Sequence, residues 1–180
     1  MLAEVILMLL HWAASLFGGV LLLRVYMQRL GISAHNPIAQ FAYALTEWAA
    51  RPLRAVIPRR GRWDWAALFG SFIVALVFLA LADLVRGHSI ALAWPWFVPQ
   101  ACLLMLRWAL YIAVTLVFAY ALISLINPHA PLAPTFDLLT RPMLAPIRRL
   151  IPTVGGFDLS PIVLIVAIQI VLMLIEGTGL

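Results

Sequence analysis

Four apolar stretches constrain this 180-residue chain more than any other feature. Each is close to the ~20 residues that an α-helix needs to cross the roughly 30 Å hydrocarbon core of a bilayer. Hydrophobic residues make up 65% of the chain and charged residues 11%, so a soluble fold would lack the polar side chains to cover its surface. The sequence therefore predicts an all-α membrane protein with four transmembrane helices. The predicted spans cover about residues 2–23, 65–82, 108–126 and 157–175.

The chain also repeats itself between the spans. The segment Thr46–Asp64 (the first copy) matches Thr140–Asp158 (the second copy) at a constant offset of 94 residues. Their shared letters read Pro-x-Arg-x-x-Ile-Pro-x-x-Gly-x-aromatic-Asp, and an Asn-Pro pair precedes each copy. One structural unit used twice explains such a period. We therefore expect two parallel repeats, residues 1–90 and 91–180, each made of a span, a cytoplasmic segment and a span.

The distribution of arginine predicts the orientation. The connection between spans one and two carries seven arginines and the connection between spans three and four carries three, but the middle connection has only two. Because cytoplasmic connections collect positive charge, the first and third are expected inside. Both termini and the middle connection then face outward. The first stretch has no basic n-region and no cleavage site, which indicates a retained span rather than a signal peptide.

The two cytoplasmic segments are expected to be amphipathic and to lie at the membrane surface. Asn36 is predicted to cap the first helix with Pro37 at its first position, and Pro52 is predicted to break or kink it. Its apolar face would hold Ile38, Phe41, Leu45 and Trp48, and its polar face Gln40, Glu47, Arg51 and Arg54. In the second segment the expected buried side is Phe136, Leu139, Met143, Ile147 and Ile151. The middle connection, Gly87–Gln100, is expected to anchor tryptophans at the headgroup level.

The repeated residues are the candidate contacts for a partner or for lipid. They are Pro146, Arg148, Arg149, Pro152, Gly155 and Asp158 in the second copy, and Arg54, Pro58, Gly61 and Asp64 in the first. The two aspartates stand at span mouths, where a carboxylate caps a helix N-terminus; a proton or ion site is the alternative. The paired arginines could clamp a lipid phosphate or a partner's acidic residue, although setting the topology would also explain them.

The sequence lacks the residues that several classes of protein function require. The sequence has no nucleophile–base set, no phosphate loop and no acidic metal pair, and Cys102 is its single cysteine. His11 lies within a span and could ligate haem or relay protons, but a bis-histidine site would need a second chain. Gln169 could hydrogen-bond between helices, and Gly18-Gly19 offers a place for close packing. We therefore expect no enzyme activity, no cofactor, no metal and no direct contact with nucleic acid. The expected binding partners are anionic lipid headgroups and either another membrane protein or a second copy of the chain.

The second copy, with its surroundings, resembles the YggT family of small bacterial membrane proteins. The resemblance rests on Asn127-Pro128, Leu139-Thr140-Arg141-Pro142, Pro146-Ile147-Arg148-Arg149, Ile151-Pro152 and Gly155-Gly156-Phe157-Asp158-Leu159-Ser160-Pro161. The first copy resembles the diverged repeat of long, proteobacterial-type members, and departs at Arg62, Ala66 and Ala67.

The resemblance implies fold and location more directly than activity. Together with the predicted orientation, it implies a bacterial inner membrane with both termini in the periplasm. Plastid relatives are linked to haem attachment in cytochrome b6f assembly and to nucleoid distribution, bacterial relatives to cell division, and the proteobacterial type to osmotic tolerance and cation uptake. The expected function is a non-enzymatic adaptor or assembly factor. The alternative is a transport-related role in osmotic stress or cation homeostasis.

Overall fold

The structure, a computed structural model, describes residues 1–57, 61, 63–87, 90–150 and 158–177. In this part of the chain the regular elements are six α-helices: α1 Leu2–Leu30, α2 Pro37–Val56, α3 Trp65–Arg86, α4 Ile90–Ile126, α5 Ala133–Arg148 and α6 Ser160–Gly177. Four of them are long and apolar enough to cross a membrane, namely α1, α3, the Pro95–Ile126 part of α4, and α6. The prediction of an all-α membrane protein with four spans is confirmed. The connecting helices α2 and α5 lie between the spans of each pair.

The chain forms two compact units, residues 1–109 and 110–180. In the first unit α1 packs along α3, and α2 packs against both. Trp108, from the first part of α4, is buried beside Leu104 and Ala75. Its ring lies over Gly18, where a side chain would meet the indole, so the predicted close packing at this glycine is confirmed. Ser71 adds a hydrogen bond from its hydroxyl to the Gly18 carbonyl oxygen at 3.1 Å.

In the second unit α6 packs against the second part of α4 and against α5. Ile168 and Leu172 of α6 are buried with Ala113 of α4, and Met143 of α5 contacts this cluster. The arrangement repeats the order span, connecting helix, span seen in the first unit.

The chain is helical at two places where prolines interrupt the sequence. The helix α2 runs through Pro52 to Val56, and α4 begins at Ile90 and runs through Pro95 and Pro99. A proline inside a helix costs about 3 kcal/mol, because it removes one backbone hydrogen bond and crowds the preceding turn. In α2 the residues beyond Pro52 are held by side-chain contacts of Arg54, which offset that cost. A break at Pro52 is therefore excluded, because α2 continues to Val56, and the middle connection, for which the sequence predicted only tryptophan anchoring, is helical from Ile90 onward.

The buried side of α2 also differs from the predicted apolar face. Small residues line it: Ala39, Ala42, Thr46 and Ala50. Phe41 and Trp48 are exposed, although the Trp48 ring lies 5.1 Å from that of Phe17. In α5 Leu139 is buried as predicted and Leu144 is buried with it. Phe136, Met143 and Ile147 are half-buried, and Ile151 lies outside the described residues. Small residues let α2 approach the spans closely, which brings its charged side chains inward.

Candidate functional site

Each copy joins its arginine to its aspartate. In the first copy Arg54 Nη2 lies 3.3 Å from Asp64 Oδ2, and in the second Arg148 Nε lies 2.8 Å from Asp158 Oδ2. The two residues are ten positions apart in both copies. The sequence interpretation gave the arginine and the aspartate separate roles. Their constant spacing was the signal that could have paired them.

The aspartates also hold the starts of the spans. Asp64 Oδ1 accepts a hydrogen bond from the Ala67 N–H at 3.1 Å, and Asp158 Oδ1 accepts one from the Ser160 N–H at 2.9 Å. The prediction that Asp64 caps α3 is confirmed. Since the other oxygen binds the arginine, one carboxylate connects each span to its connecting helix.

In the first unit Arg24 of α1 and Glu47 of α2 join the Arg54–Asp64 pair to form a charged cluster. The Arg24 side chain is 0% exposed, and its Nε donates to Asp64 Oδ2 at 2.9 Å. Its Nη2 donates to Glu47 Oε2 at 2.9 Å and its Nη1 to Thr46 Oγ1 at 3.0 Å. The guanidinium carbon also lies 4.3 Å from the centre of the Tyr43 ring. A buried arginine is tolerated only where its charge is paired and its donors are satisfied, and both conditions hold here.

The same cluster accounts for the inward position of two residues predicted on the polar face of α2. Glu47 Oε1 accepts a hydrogen bond from Arg54 Nη1 at 2.7 Å while its other oxygen accepts from Arg24. Two arginines are thus balanced by two carboxylates. Sequence reasoning treated Arg24 as a residue that ends a span and sets the topology, and so missed its central place in the cluster.

The second unit builds its pair differently. The position equivalent to Glu47 is the exposed Arg141. Arg148 is instead supported by Tyr120, whose hydroxyl accepts from Nη2 at 2.8 Å and whose ring centre lies 5.6 Å from the guanidinium carbon. The side chains of Arg148 and Asp158 remain 33% and 30% exposed. This pair is therefore more exposed to solvent than the cluster around Arg24.

Hydrogen bonding outweighs burial in the titration of the second pair. Burial by itself would raise the pKa of Asp158, but the hydrogen bonds from Ser160 and the charge of Arg148 bring that pKa below its usual value. Burial would likewise lower the pKa of Arg148, yet its bonds to Asp158 and Tyr120 raise that pKa. Both shifts favour the charged pair.

The lowered pKa of Asp158 predicts an acid-dependent contribution to stability. The unfolded carboxyl titrates near ~3.9, so the contribution is fully present above that pH and disappears as the pH falls through the lower pKa of the folded state. We expect the wild type to lose up to about 1 kcal/mol more than Asp158→Asn on acidification, because a partly exposed pair is screened by water. Unfolding in mixed micelles at several pH values measures the difference. Parallel curves for the two proteins would contradict the prediction.

The other candidate contact residues differ in what they offer. Pro146 and Arg149 are exposed on α5. Gly61 has a positive φ of 72°, a conformation that suits glycine, and a Cβ added to it would meet no atom of the described residues within 4 Å. Pro58, Pro152 and Gly155 lie outside the described residues.

Each unit has a cavity beside its charged residues. In the first unit a groove of about 680 Å³ is lined by Gln28, Ala34, Tyr43, Ala44, Glu47 and Arg54. In the second a pocket of about 280 Å³ is lined by Tyr120, Ile123, Ser124, Pro128, Ala133, Pro134 and Asp137. Among the described residues that line the groove, one side chain is positive and one is negative.

Side chains that could ligate a metal ion do not cluster in the described part of the chain. No group of three His, Cys, Asp or Glu side chains there could hold a metal ion. His11 is exposed on α1, with its ring edge-on to that of Phe78 at 5.7 Å.

Comparison with known proteins identifies the family. The CCB3/YggT family matches the chain twice, over residues 3–85 and 99–178. The protein YggT of Escherichia coli K12, described as uncharacterised, is 32% identical over 177 residues, which cover 95% of this chain and 91% of YggT. An uncharacterised protein of Vibrio alginolyticus is 32% identical over 86% of this chain and 84% of its own, and one of Pseudomonas aeruginosa is 31% identical over 93% and 86%. No solved structure matches the chain significantly. Since both halves match one family and the relatives align over most of their length, the chain belongs to the CCB3/YggT family of membrane proteins.

Proposed function

We propose that this protein is a non-enzymatic adaptor or assembly factor of the bacterial inner membrane. In each unit the connecting helix, α2 or α5, would present an ordered cytoplasmic surface to a membrane-associated protein complex. The observation that carries the proposal is the attachment of each connecting helix to the next span through one aspartate. A surface that is already ordered loses less conformational entropy when a partner binds.

The candidate residues divide into positioning and contact roles under this proposal. Arg54 and Arg148 are each paired with an aspartate of their own unit, so they position the helices. On α5 the side that remains open carries Leu138, Arg141, Pro142, Pro146 and Arg149, all exposed. Such a basic, proline-stiffened face suits an acidic segment of a partner protein, and its exposed arginines also suit anionic lipid headgroups.

The alternative, a role in ion transport, receives less support from the same geometry. Asp64 uses one oxygen to cap α3 and the other to bind Arg24 and Arg54. Asp158 is engaged in the same manner by Ser160 and Arg148. A cation would have to displace an arginine before it could bind either carboxylate.

Crosslinking from α5 in native membranes tests the adaptor role. A photoreactive residue at position 138 leaves the arginines intact and lies on the same face as Arg141 and Arg149. We expect it to capture a discrete protein, and expect the Arg141→Glu, Arg149→Glu double variant to reduce the yield at least fivefold at equal insertion. Arg86→Glu, which makes one such charge reversal at the far end of α3, should leave the yield unchanged.

Two results would overturn the proposal. One is a yield of crosslinked protein that stays the same when the two arginines of α5 are replaced by glutamate. The other is a pattern of lipid and self-crosslinks only, which would favour an oligomeric transporter and lead to flux measurements in reconstituted vesicles.

A further inference from the structure

Gln169 is a polar residue in the middle of a membrane span. It is the tenth of the 18 residues of α6, and its side chain is exposed. At a rise of ~1.5 Å per residue it lies roughly 12 Å or more from either end of the helix, which is too far for its amide to reach the headgroups.

The amide has no partner among the described residues of its own unit. No hydrogen bond there involves the Gln169 side chain, whereas Tyr111 of α4 is bonded to Glu176 near the end of α6. Transfer of an unpaired amide from water into hydrocarbon costs several kcal/mol, so a glutamine at this depth needs a partner.

Gln169 belongs to an exposed stripe with the spacing of a helix–helix seam. Ile162, Val166, Gln169 and Met173 follow one another at intervals of four, three and four residues. The three apolar members are 59%, 52% and 74% exposed. The packed side of α6 is a different one, with Ile168 and Leu172 against α4. A repeat of 3.5 residues is the pattern by which two helices pair in a left-handed supercoil.

We propose that this stripe is the interface between two copies of the chain, with the two Gln169 amides hydrogen-bonded to each other across a two-fold axis. All copies insert with one orientation, so two α6 helices meet in parallel and each residue of the stripe faces its own counterpart. A primary amide is both donor and acceptor, so it can bond with an identical group. A single polar position in an apolar seam also fixes the register of the pair. This pairing is independent of the adaptor role.

Disulfide crosslinking of the full chain in membranes tests the geometry. The exposed Cys102 is first replaced by serine, and single cysteines are placed at positions 166 and 173 on the stripe or at 163 and 174 off it. Mild oxidation should give crosslinked dimers from positions 166 and 173 at yields several-fold above those from 163 and 174. Equal yields at all four positions, or no crosslinked dimer at any position, would overturn the proposal. We expect no dimer if the partner of Gln169 lies in another protein or in residues 1–109 of the same chain.

The energetic test uses Gln169→Leu in the same background. Interhelical hydrogen bonds of this kind contribute enough to weaken the dimer roughly 3-fold to 20-fold when lost. Energy transfer between labelled copies in vesicles measures the dissociation constant, with Val163→Leu as a control expected to change nothing. An unchanged dissociation constant for Gln169→Leu would show that the amides do not meet, even if the chain dimerises.

Discussion

Asparagine in place of Asp64 is expected to lower the free energy of unfolding by about 3–5 kcal/mol. The substitution keeps the shape of the side chain and an oxygen that can cap α3, so it removes mainly the charge. The Arg24 guanidinium is fully buried and would keep only Glu47 as a counterion, which it shares with Arg54. A buried charge without its partner carries most of its desolvation cost uncompensated.

The repeat supplies the matched control for this prediction. Asp158→Asn makes the same chemical change at the equivalent position, but the Arg148–Asp158 pair is about a third exposed, and water can replace the lost partner. We expect a loss of about 1 kcal/mol or less there. Unfolding by detergent titration, followed by circular dichroism, compares the two variants. Equal losses would show that burial of Arg24 does not matter.

A second substitution separates the buried charge from a general loss of packing. Arg24→Met in the Asp64→Asn background removes the guanidinium while keeping a long side chain. Replacing buried ionic groups with apolar ones is often neutral or stabilising. The double variant should therefore be more stable than Asp64→Asn alone. A further loss on adding Arg24→Met would mean that the arginine contributes through its packing or its contact with Tyr43.

The features that the sequence predicted well are local ones. The spans were predicted from runs of apolar residues. The cap at Asn36 was predicted from Asn36 and Pro37 alone: the Asn36 Oδ1 accepts a hydrogen bond from the Ile38 N–H at 3.0 Å, and Pro37 is the first residue of α2. The cap at Asp64 similarly depends on the three residues that follow it. Such contacts are decided within one helical turn, where sequence spacing determines distance.

The features that the sequence missed depend on distant residues. Arg24 and Asp64 are 40 positions apart, and their contact requires α1, α2 and α3 to meet at one place. The amphipathic pattern of α2 predicted that Trp48 faces the apolar surroundings and Glu47 faces water. In the structure the buried Arg24 binds Glu47, so the charged face of α2 turns toward α1. In a protein with a lipid-facing surface, exposed aromatic residues carry no penalty, so polarity alone does not identify the inner side of a helix.

Alanine in place of Gly18 is expected to destabilise the protein by up to about 2 kcal/mol. An added Cβ would overlap three atoms of the Trp108 ring, the most distant of them 2.8 Å away. The ring is 2% exposed and its Nε1 donates to Ser15 Oγ at 3.0 Å, so it has little room to move. Overpacking of this kind costs about 1–3 kcal/mol, whereas alanine gains ~1 kcal/mol over glycine within a helix, so the net loss can reach about 2 kcal/mol.

Gly70 of α3 separates this clash from the general effect of changing a helical glycine. A Cβ at Gly70 would meet Leu53 Cδ1 at 3.3 Å, the end of a flexible side chain that can rotate away. Gly70→Ala should therefore change the free energy of unfolding by less than about 1 kcal/mol in either direction. A double-mutant cycle then locates the effect: in a Trp108→Leu background the cost of Gly18→Ala should fall to near zero. A cost that persists without the indole would contradict the proposed clash, because the atoms nearest to that methyl group all belong to the Trp108 ring.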